Sequence, residues 1–242
     1  MFGTYAEGGE LLIYPFLELY LDNNAEYAPN EFGYGLDEDY RGKYRATEGL
    51  IFLGYGITSS LVLEIEAAII NASLETSADD PTKIPDKIEE AGLGDVQTQI
   101  DWCWLSETES RPACFSYFEV AYPLSKSRDL IGTSDWEFKG GTGLVRGFKW
   151  GTVTLRAAAE YDRSEESFAL GEIALEYLKR LSSTWRIYAG VEGTQDEWEL
   201  ITEVQLNLNR NVFVKFNNAF GITSKGTDWA PEVGVIFSIP TR

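Results

Sequence analysis

The residues able to do chemistry in this chain are carboxylates, and they recur at a spacing of two. Between Glu197 and Asn209, Trp198, Leu200, Thr202, Val204, Leu206 and Leu208 alternate with Glu197, Glu199, Ile201, Glu203, Gln205, Asn207 and Asn209. Side chains two apart share one face of an extended strand, so this pattern writes an apolar face and an acidic face on the same segment. The same parity, carried along the chain, assigns one polar face to Glu10, Glu18, Glu64, Glu66, Glu119, Glu160, Glu172, Glu176, Glu192, Glu199 and Glu203. Its basic members are Lys139, Arg156, Arg186 and Lys215.

Two kinds of chemistry fit clustered carboxylates, and catalysis is the weaker one. The chain has no histidine, which removes the commonest general base near neutral pH. No Gly-x-Ser-x-Gly elbow, phosphate-binding loop or His-Glu-x-x-His motif is present. No catalytic residue is therefore assigned, and an enzyme is not expected. The alternative use of such a face is electrostatic: rings of glutamate repel anions and admit cations.

Metal binding is weighed in the same way. Asp37-Glu38-Asp39, with Asp22, Glu26 and Glu31, forms one acidic stretch, and Glu75, Asp79, Asp80, Asp86, Glu89 and Glu90 form another. Neither has EF-hand spacing, and ordered calcium needs six or more converging oxygens, so solvated loops are the expected state. No metal and no cofactor are assigned. Cys103 and Cys114 sit on the two arms of one expected hairpin. An oxidising compartment would allow a disulfide between them, while alternation opposes it by placing Cys103 inward and Cys114 outward.

These faces require strands to carry them. Twelve alternating segments are read at 8–21, 43–56, 59–72, 94–106, 113–124, 135–148, 151–162, 167–180, 184–193, 197–209, 211–222 and 228–239. Each has about the ~9–11 residues of a tilted membrane-spanning strand, with some excess for the rims. In the eighth, Ala169, Gly171, Ile173, Leu175 and Tyr177 are expected on one face and Leu170, Glu172, Ala174 and Glu176 on the other.

Connection lengths alternate too. Ile57-Thr58-Ser59, Lys149-Trp150, Leu181-Ser182-Ser183 and Asn209-Arg210 are tight, and 106–112 is moderate. The intervening connections are longer or more polar: 22–42, 73–93, 125–134, 163–166, 194–196 and 223–227. Tight turns on one rim and longer loops on the other predict a closed antiparallel transmembrane β-barrel of about twelve strands. Its short turns are periplasmic, its longer loops extracellular, and the chain forms a single domain, 1–242. Asp79-Asp80-Pro81, followed by Ile84, Ile88 and Ala91 at near-helical spacing, predicts a short helix over Asp79 to Ala91. Tyr20, Tyr55, Trp104, Tyr122, Trp136, Trp150, Tyr161, Trp185, Trp198 and Trp229 lie near segment ends and are read as interfacial girdles.

Composition narrows the partners. With 39 acidic and 20 basic residues the formal charge is −19, which argues against nucleic acid. No run of residues is long and apolar enough to cross as a helix. Lipid and lipopolysaccharide of a bacterial outer membrane, together with small solutes, are the expected partners; the sequence leaves the oligomeric state open. An outer-membrane chain needs a secretory leader, and none is visible, so a mature chain with an added or retained Met1 is expected.

Gly92-Leu93-Gly94-Asp95 opens a strand, and Phe118-Glu119-Val120-Ala121-Tyr122-Pro123 closes the following hairpin. Gly140-Gly141-Thr142-Gly143 and Pro231-Glu232-Val233-Gly234-Val235-Ile236-Phe237 come later. Together these resemble the outer-membrane barrel family known as transporters of the meta-pathway of phenol degradation, over roughly 92–237. The chain departs from that pattern after Pro123, where Leu124-Ser125 stands in place of Thr-Gly. The resemblance implies passage of small, often aromatic, molecules. The acidic face itself implies a narrow, water-containing channel for cations and neutral solutes. A plugged barrel serving as anchor or docking partner, and a soluble barrel with its apolar face inward, remain as alternatives.

Overall fold

The computed structural model describes residues 6–35, 37–133, 135–163, 167–195 and 197–241. Met1 and the loop residues 164–166 and 196 lie outside them. Twelve strands run β1 (Glu10–Tyr27), β2 (Tyr40–Thr58), β3 (Leu61–Glu75), β4 (Lys87–Leu105), β5 (Ala113–Tyr122) and β6 (Glu137–Phe148), then β7 (Gly151–Asp162), β8 (Ser167–Arg180), β9 (Trp185–Thr194), β10 (Glu197–Asn207), β11 (Val212–Gly221) and β12 (Ala230–Pro240). Each pairs antiparallel with its sequence neighbours, and β1 pairs with β12 from Glu10↔Pro240 to Glu18↔Glu232, which closes the barrel.

The apolar face points outward. Leu155, Leu175, Leu200, Val204 and Phe216 are exposed there, while Arg156, Glu176, Glu203 and Lys215 are buried inside. This is the inverse of a soluble ligand-binding barrel, and so large an exposed apolar band requires an apolar surrounding. The outer-rim aromatics form a chain of ring contacts from Tyr122 through Trp136 and Phe138 to Tyr161 and Phe168. Phe148, Trp150 and Tyr177 form its counterpart at the tight-turn rim. Tyr20 is a correction to the girdle: it faces inward, against Ala46, Ala72 and Ile131.

The wall is uneven. β1 to β4 run 18, 19, 15 and 19 residues, and β5 only 10. The long connections expected at 22–42 and 73–93 are largely ladder, since pairing continues to Tyr27↔Tyr40 and Glu75↔Lys87. The helix expected over Asp79 to Ala91 is absent. Ile88 pairs with Leu74 in the β3–β4 ladder. Ile84 packs inward with Tyr27 and Leu74, and its near-helical spacing to Ile88 reflects this shared apolar cluster instead. Asp80 caps a turn instead of a helix, accepting a hydrogen bond from the Thr82 N–H at 2.8 Å.

Five register shifts interrupt the ladders among the described residues, and three of them bear on the expected faces. Between Ala157 and Ala159, β8 inserts an extra residue, so that Gly171 and Glu172 both oppose Ala158. Phe168 and Leu170 therefore face outward, and the parity expected before Gly171 is reversed; Phe168 is 82% exposed. A second bulge opposes Ala68 with Gly94 and Asp95. A third separates Cys103 from Leu105 in the β4–β5 ladder. Cys103 faces inward and Cys114 outward, and both are free thiols. The possible disulfide is thus not formed, because the wall of the barrel lies between the two sulfurs.

Gly141 and Gly143 are explained by their neighbours. A Cβ on Gly141 would fall 2.3 Å from the Tyr117 ring, and one on Gly143 2.4 Å from the Phe115 ring. Both rings lie flat against bare inner wall that only glycine leaves free.

Depth along the wall decides the cost of a charge on the outer face. Leu155 lies mid-strand in β7, whereas Leu206 pairs with girdle Trp185 near the end of β10. Leu155→Arg is expected to cost about 2–4 kcal/mol of stability in bilayers and Leu206→Arg about 0–1. Urea unfolding of the two variants in liposomes checks the order; equal costs would contradict this placement.

Candidate functional site: the barrel lumen

Nine of the fifteen side chains assigned to the polar face by parity form three groups along the wall. In the first, Arg156, only 4% exposed, is held by three carboxylates: Glu172, Glu176 at 2.7 Å and Glu192 at 2.7 Å. Glu172 and Glu176 share the inner face by plain alternation, on the regular side of the bulge at Gly171-Glu172. In the second group, Lys139 on β6 bridges Glu119 on β5 at 3.5 Å and Glu160 on β7 at 3.4 Å, its direct cross-strand neighbours. In the third, Lys215 pairs with Glu203 at 2.6 Å and lies over the Tyr14 ring.

The remaining assigned residues are spread apart. Glu64 is buried beside Gln99, whose amide also donates to Asp101. Glu66 lines the central cavity. Glu10 accepts hydrogen bonds from Ser238 Oγ and the Glu7 N–H at the periplasmic rim, and Glu199 accepts one from the Thr227 N–H toward the outer rim. Arg186 is opposite Gln205. Glu18 faces Glu48 on one side and Glu232 on the other.

Parity should also have yielded Glu48, Asp101 and Glu232 as lumen residues, as it did place Gln205 on the acidic face. Glu232 alternates with exposed Val233 in β12, and Glu48 lies on the same face as Phe52 in β2. The poor alternation of β2 and the bulges near Asp101 hid the others.

The lumen is narrowed at two levels. Near the periplasmic rim, Ala6, Leu12, Tyr14, Phe52, Val62 and Ile236 form an apolar cluster inside the barrel, with Phe16 and Phe213 against it. Toward the outer rim, the connection from β5 to β6 folds inward, and Ile131 is buried against Ala46 and Ala72. The long loops expected to do this, at 22–42 and 73–93, instead supply the tall wall on which it rests.

Asp95 holds that connection in place. One of its carboxylate oxygens accepts from the N–H groups of Leu124 and Ser125 at 2.8 and 3.1 Å. The other accepts from the Thr133 N–H and hydroxyl at 2.6 and 2.8 Å. Arg128 donates to the Ala91 carbonyl, the Leu130 N–H to Glu90, and Tyr44 to the Leu130 carbonyl. The Gly-Leu-Gly-Asp stretch singled out in the sequence is therefore a bulge whose extra residue clasps the inward loop. Farther out, the Trp136 N–H, with Lys126 and Arg163 nearby, holds the Asp135 carboxyl below the ordinary range. Two hydrogen bonds from Asn23, backbone and side chain, do the same for Asp228.

Between the two constrictions lies a cavity of about 280 Å³, reached by Arg156, Glu176, Lys215 and Glu232 among others. An arrangement of this kind can order water and small polar solutes.

No protein family matches the sequence, and no curated protein does. Solved structures do match. An outer-membrane channel of the COG4313 group from Pseudomonas putida F1 superposes with a TM-score of 0.72 at 12% identity, covering 98% of each chain. The KdgM porin gives 0.58 at 9% identity, covering 94% of this chain and 99% of its own. The translocator domain of the autotransporter NalP from Neisseria meningitidis gives 0.53 at 11%, covering 96% and 89%. The fold is that of bacterial outer-membrane β-barrels.

Two expectations follow from this geometry. Removing Arg156 leaves three carboxylates facing one another without a cation, so Arg156→Gln should lose about 3–5 kcal/mol of unfolding free energy, read by denaturant titration in detergent. Asp95→Ala should free the inward loop while leaving the wall closed. Trypsin should then cut the folded barrel after Lys126 and Arg128 at least tenfold faster than wild type; unchanged cleavage would show that Asp95 is not the clasp.

Proposed function

We propose that this chain is an outer-membrane channel for small solutes, favouring cations and neutral molecules over anions. The observation that carries the reading is the central cavity. Its two cations, Arg156 and Lys215, are already paired with Glu172, Glu176, Glu192 and Glu203, while Glu66 and Glu232 also face the space. An anion entering this field meets surplus negative charge at low dielectric, where repulsion is strongest. Twelve strands also enclose more room than side chains fill in an eight-stranded barrel.

The barrel fold and the Gly92–Asp95 and Gly140–Gly143 stretches support membership of the phenol meta-pathway transporter family, and with it aromatic solutes as cargo. A second reading, a closed anchoring or docking barrel, is favoured by the clasped loop and by the apolar cluster beneath it.

Reconstitution in planar bilayers under a tenfold KCl gradient separates the two. A channel gives a reversal potential of the sign for cation preference. Anion preference would overturn the electrostatic argument. Absence of conductance in both wild type and Asp95→Ala would favour the closed barrel.

A further inference from the structure

The central cavity is richer in hydrogen-bond acceptors than its own donors can satisfy. Arg156 is shared by three carboxylates, and Lys215 is held by Glu203 at 2.6 Å. Gln205 is 7% exposed; its amide nitrogen is spent on Glu203, and its carbonyl oxygen is buried with no donor. Asn217 uses its amide nitrogen on Glu232 at 3.4 Å, and its carbonyl oxygen likewise has no donor. A buried carbonyl without a donor carries a desolvation cost that a ligand can remove.

The charge at this level points the same way. Glu48, Glu18 and Glu232 are direct cross-strand neighbours on β2, β1 and β12. Like charges placed directly opposite are destabilising in a sheet. Among the described residues no Lys or Arg forms an ion pair with any of the three. Phe16, Tyr188 and Ile201 reach the same space and give it an apolar side.

We propose that the cavity between Glu232, Gln205 and Asn217 is a binding site for a primary organic ammonium ion with a short apolar body. The ammonium group brings three N–H donors and one positive charge to a place whose own cations, Arg156 and Lys215, are already paired with other carboxylates. A hydroxyl-bearing solute supplies a donor but leaves the glutamate row unneutralised. A bare alkali ion neutralises the row but leaves Phe16 and Ile201 without contact. Tyr188 and Phe16 bring aromatic rings to the cavity, and such rings attract a cation. The volume of about 280 Å³ admits a body of roughly the size of a benzyl group with a few waters, each taking about 30 Å³. This site names the solute class for the channel reading above and rests on it, but binding is measurable without transport.

The probes are benzylammonium, benzyl alcohol and benzoate, titrated calorimetrically into the full chain in detergent, with folding confirmed by the shifted migration of the unheated barrel in gels. Benzylammonium should bind, with benzyl alcohol at least tenfold weaker and benzoate giving no heat. Gln205→Leu and Glu232→Gln should each weaken benzylammonium at least tenfold. If either fails to fold, Glu18→Gln, which keeps the Tyr14 and Asn217 contacts of Glu232, should weaken it several-fold. Equal binding of the ammonium and the alcohol, displacement of benzylammonium by equimolar potassium, or wild-type affinity in the folded variants would overturn the site. Binding without conductance overturns the channel reading alone; cation-selective conductance without binding overturns this site alone.

Discussion

Every backbone N–H and C=O that enters lipid must find its partner within the protein, and the rest of this structure follows from that constraint. A sheet meets it only by closing, which the β1–β12 ladder does. Closure gives each strand one face toward lipid and one toward the lumen. Leu155 and Leu175 can then be tolerated only outside, and Arg156 and Glu176 only inside. The carboxylates are therefore gathered in the lumen by the same rule that makes the barrel possible.

Having gathered them, the lumen must offset their desolvation. It does so locally and incompletely. Arg156 and Lys139 each sit between carboxylates on neighbouring strands, where cross-strand distances let one cation serve several anions. On the opposite wall, apolar packing of Leu12, Tyr14, Phe52, Val62 and Ile236 takes over, and the need for countercharge falls. Between these solutions lies the row of Glu48, Glu18 and Glu232, which among the described residues no Lys or Arg pairs directly, Glu232 being held by hydrogen bonds from Tyr14 and Asn217. That unresolved charge, beside buried carbonyls lacking donors, sets the chemical character of the central cavity.

The bulges link wall to contents. A regular ladder would keep strict alternation and hold side chains at fixed angles to the wall. The bulge at Gly94-Asp95 sets a carboxylate against the β5–β6 connection, and the bulge at Gly171-Glu172 turns Phe168 and Leu170 to the outer face. The tall wall of β1 to β4 contributes by offering Tyr20, Tyr44, Ala46 and Ala72 as the surface on which the inward loop rests.

Period-two alternation and the contrast between tight and long connections determined strand number, order, orientation and most of the inner face. Those signals are local: a strand's two faces are written in residues two apart, whatever its neighbours do. The positions where expectation failed are those decided at a distance. Ile84 and Ile88 have helical spacing, yet Leu74 across the ladder holds one and Tyr27 the other. Phe168 and Leu170 changed face because the bulge depends on the register against Ala157 and Ala159, which β8 alone does not record. Ile131 enters the lumen because Asp95, far away in the chain, supplies acceptors for the Leu124, Ser125 and Thr133 amides. The approach of Glu48, Glu18 and Glu232 needs two registers at once, including the one that joins the ends of the barrel. Composition and parity fixed which residues face inward; only the closed register decided which of them meet, because cross-strand distance is a property of paired chains.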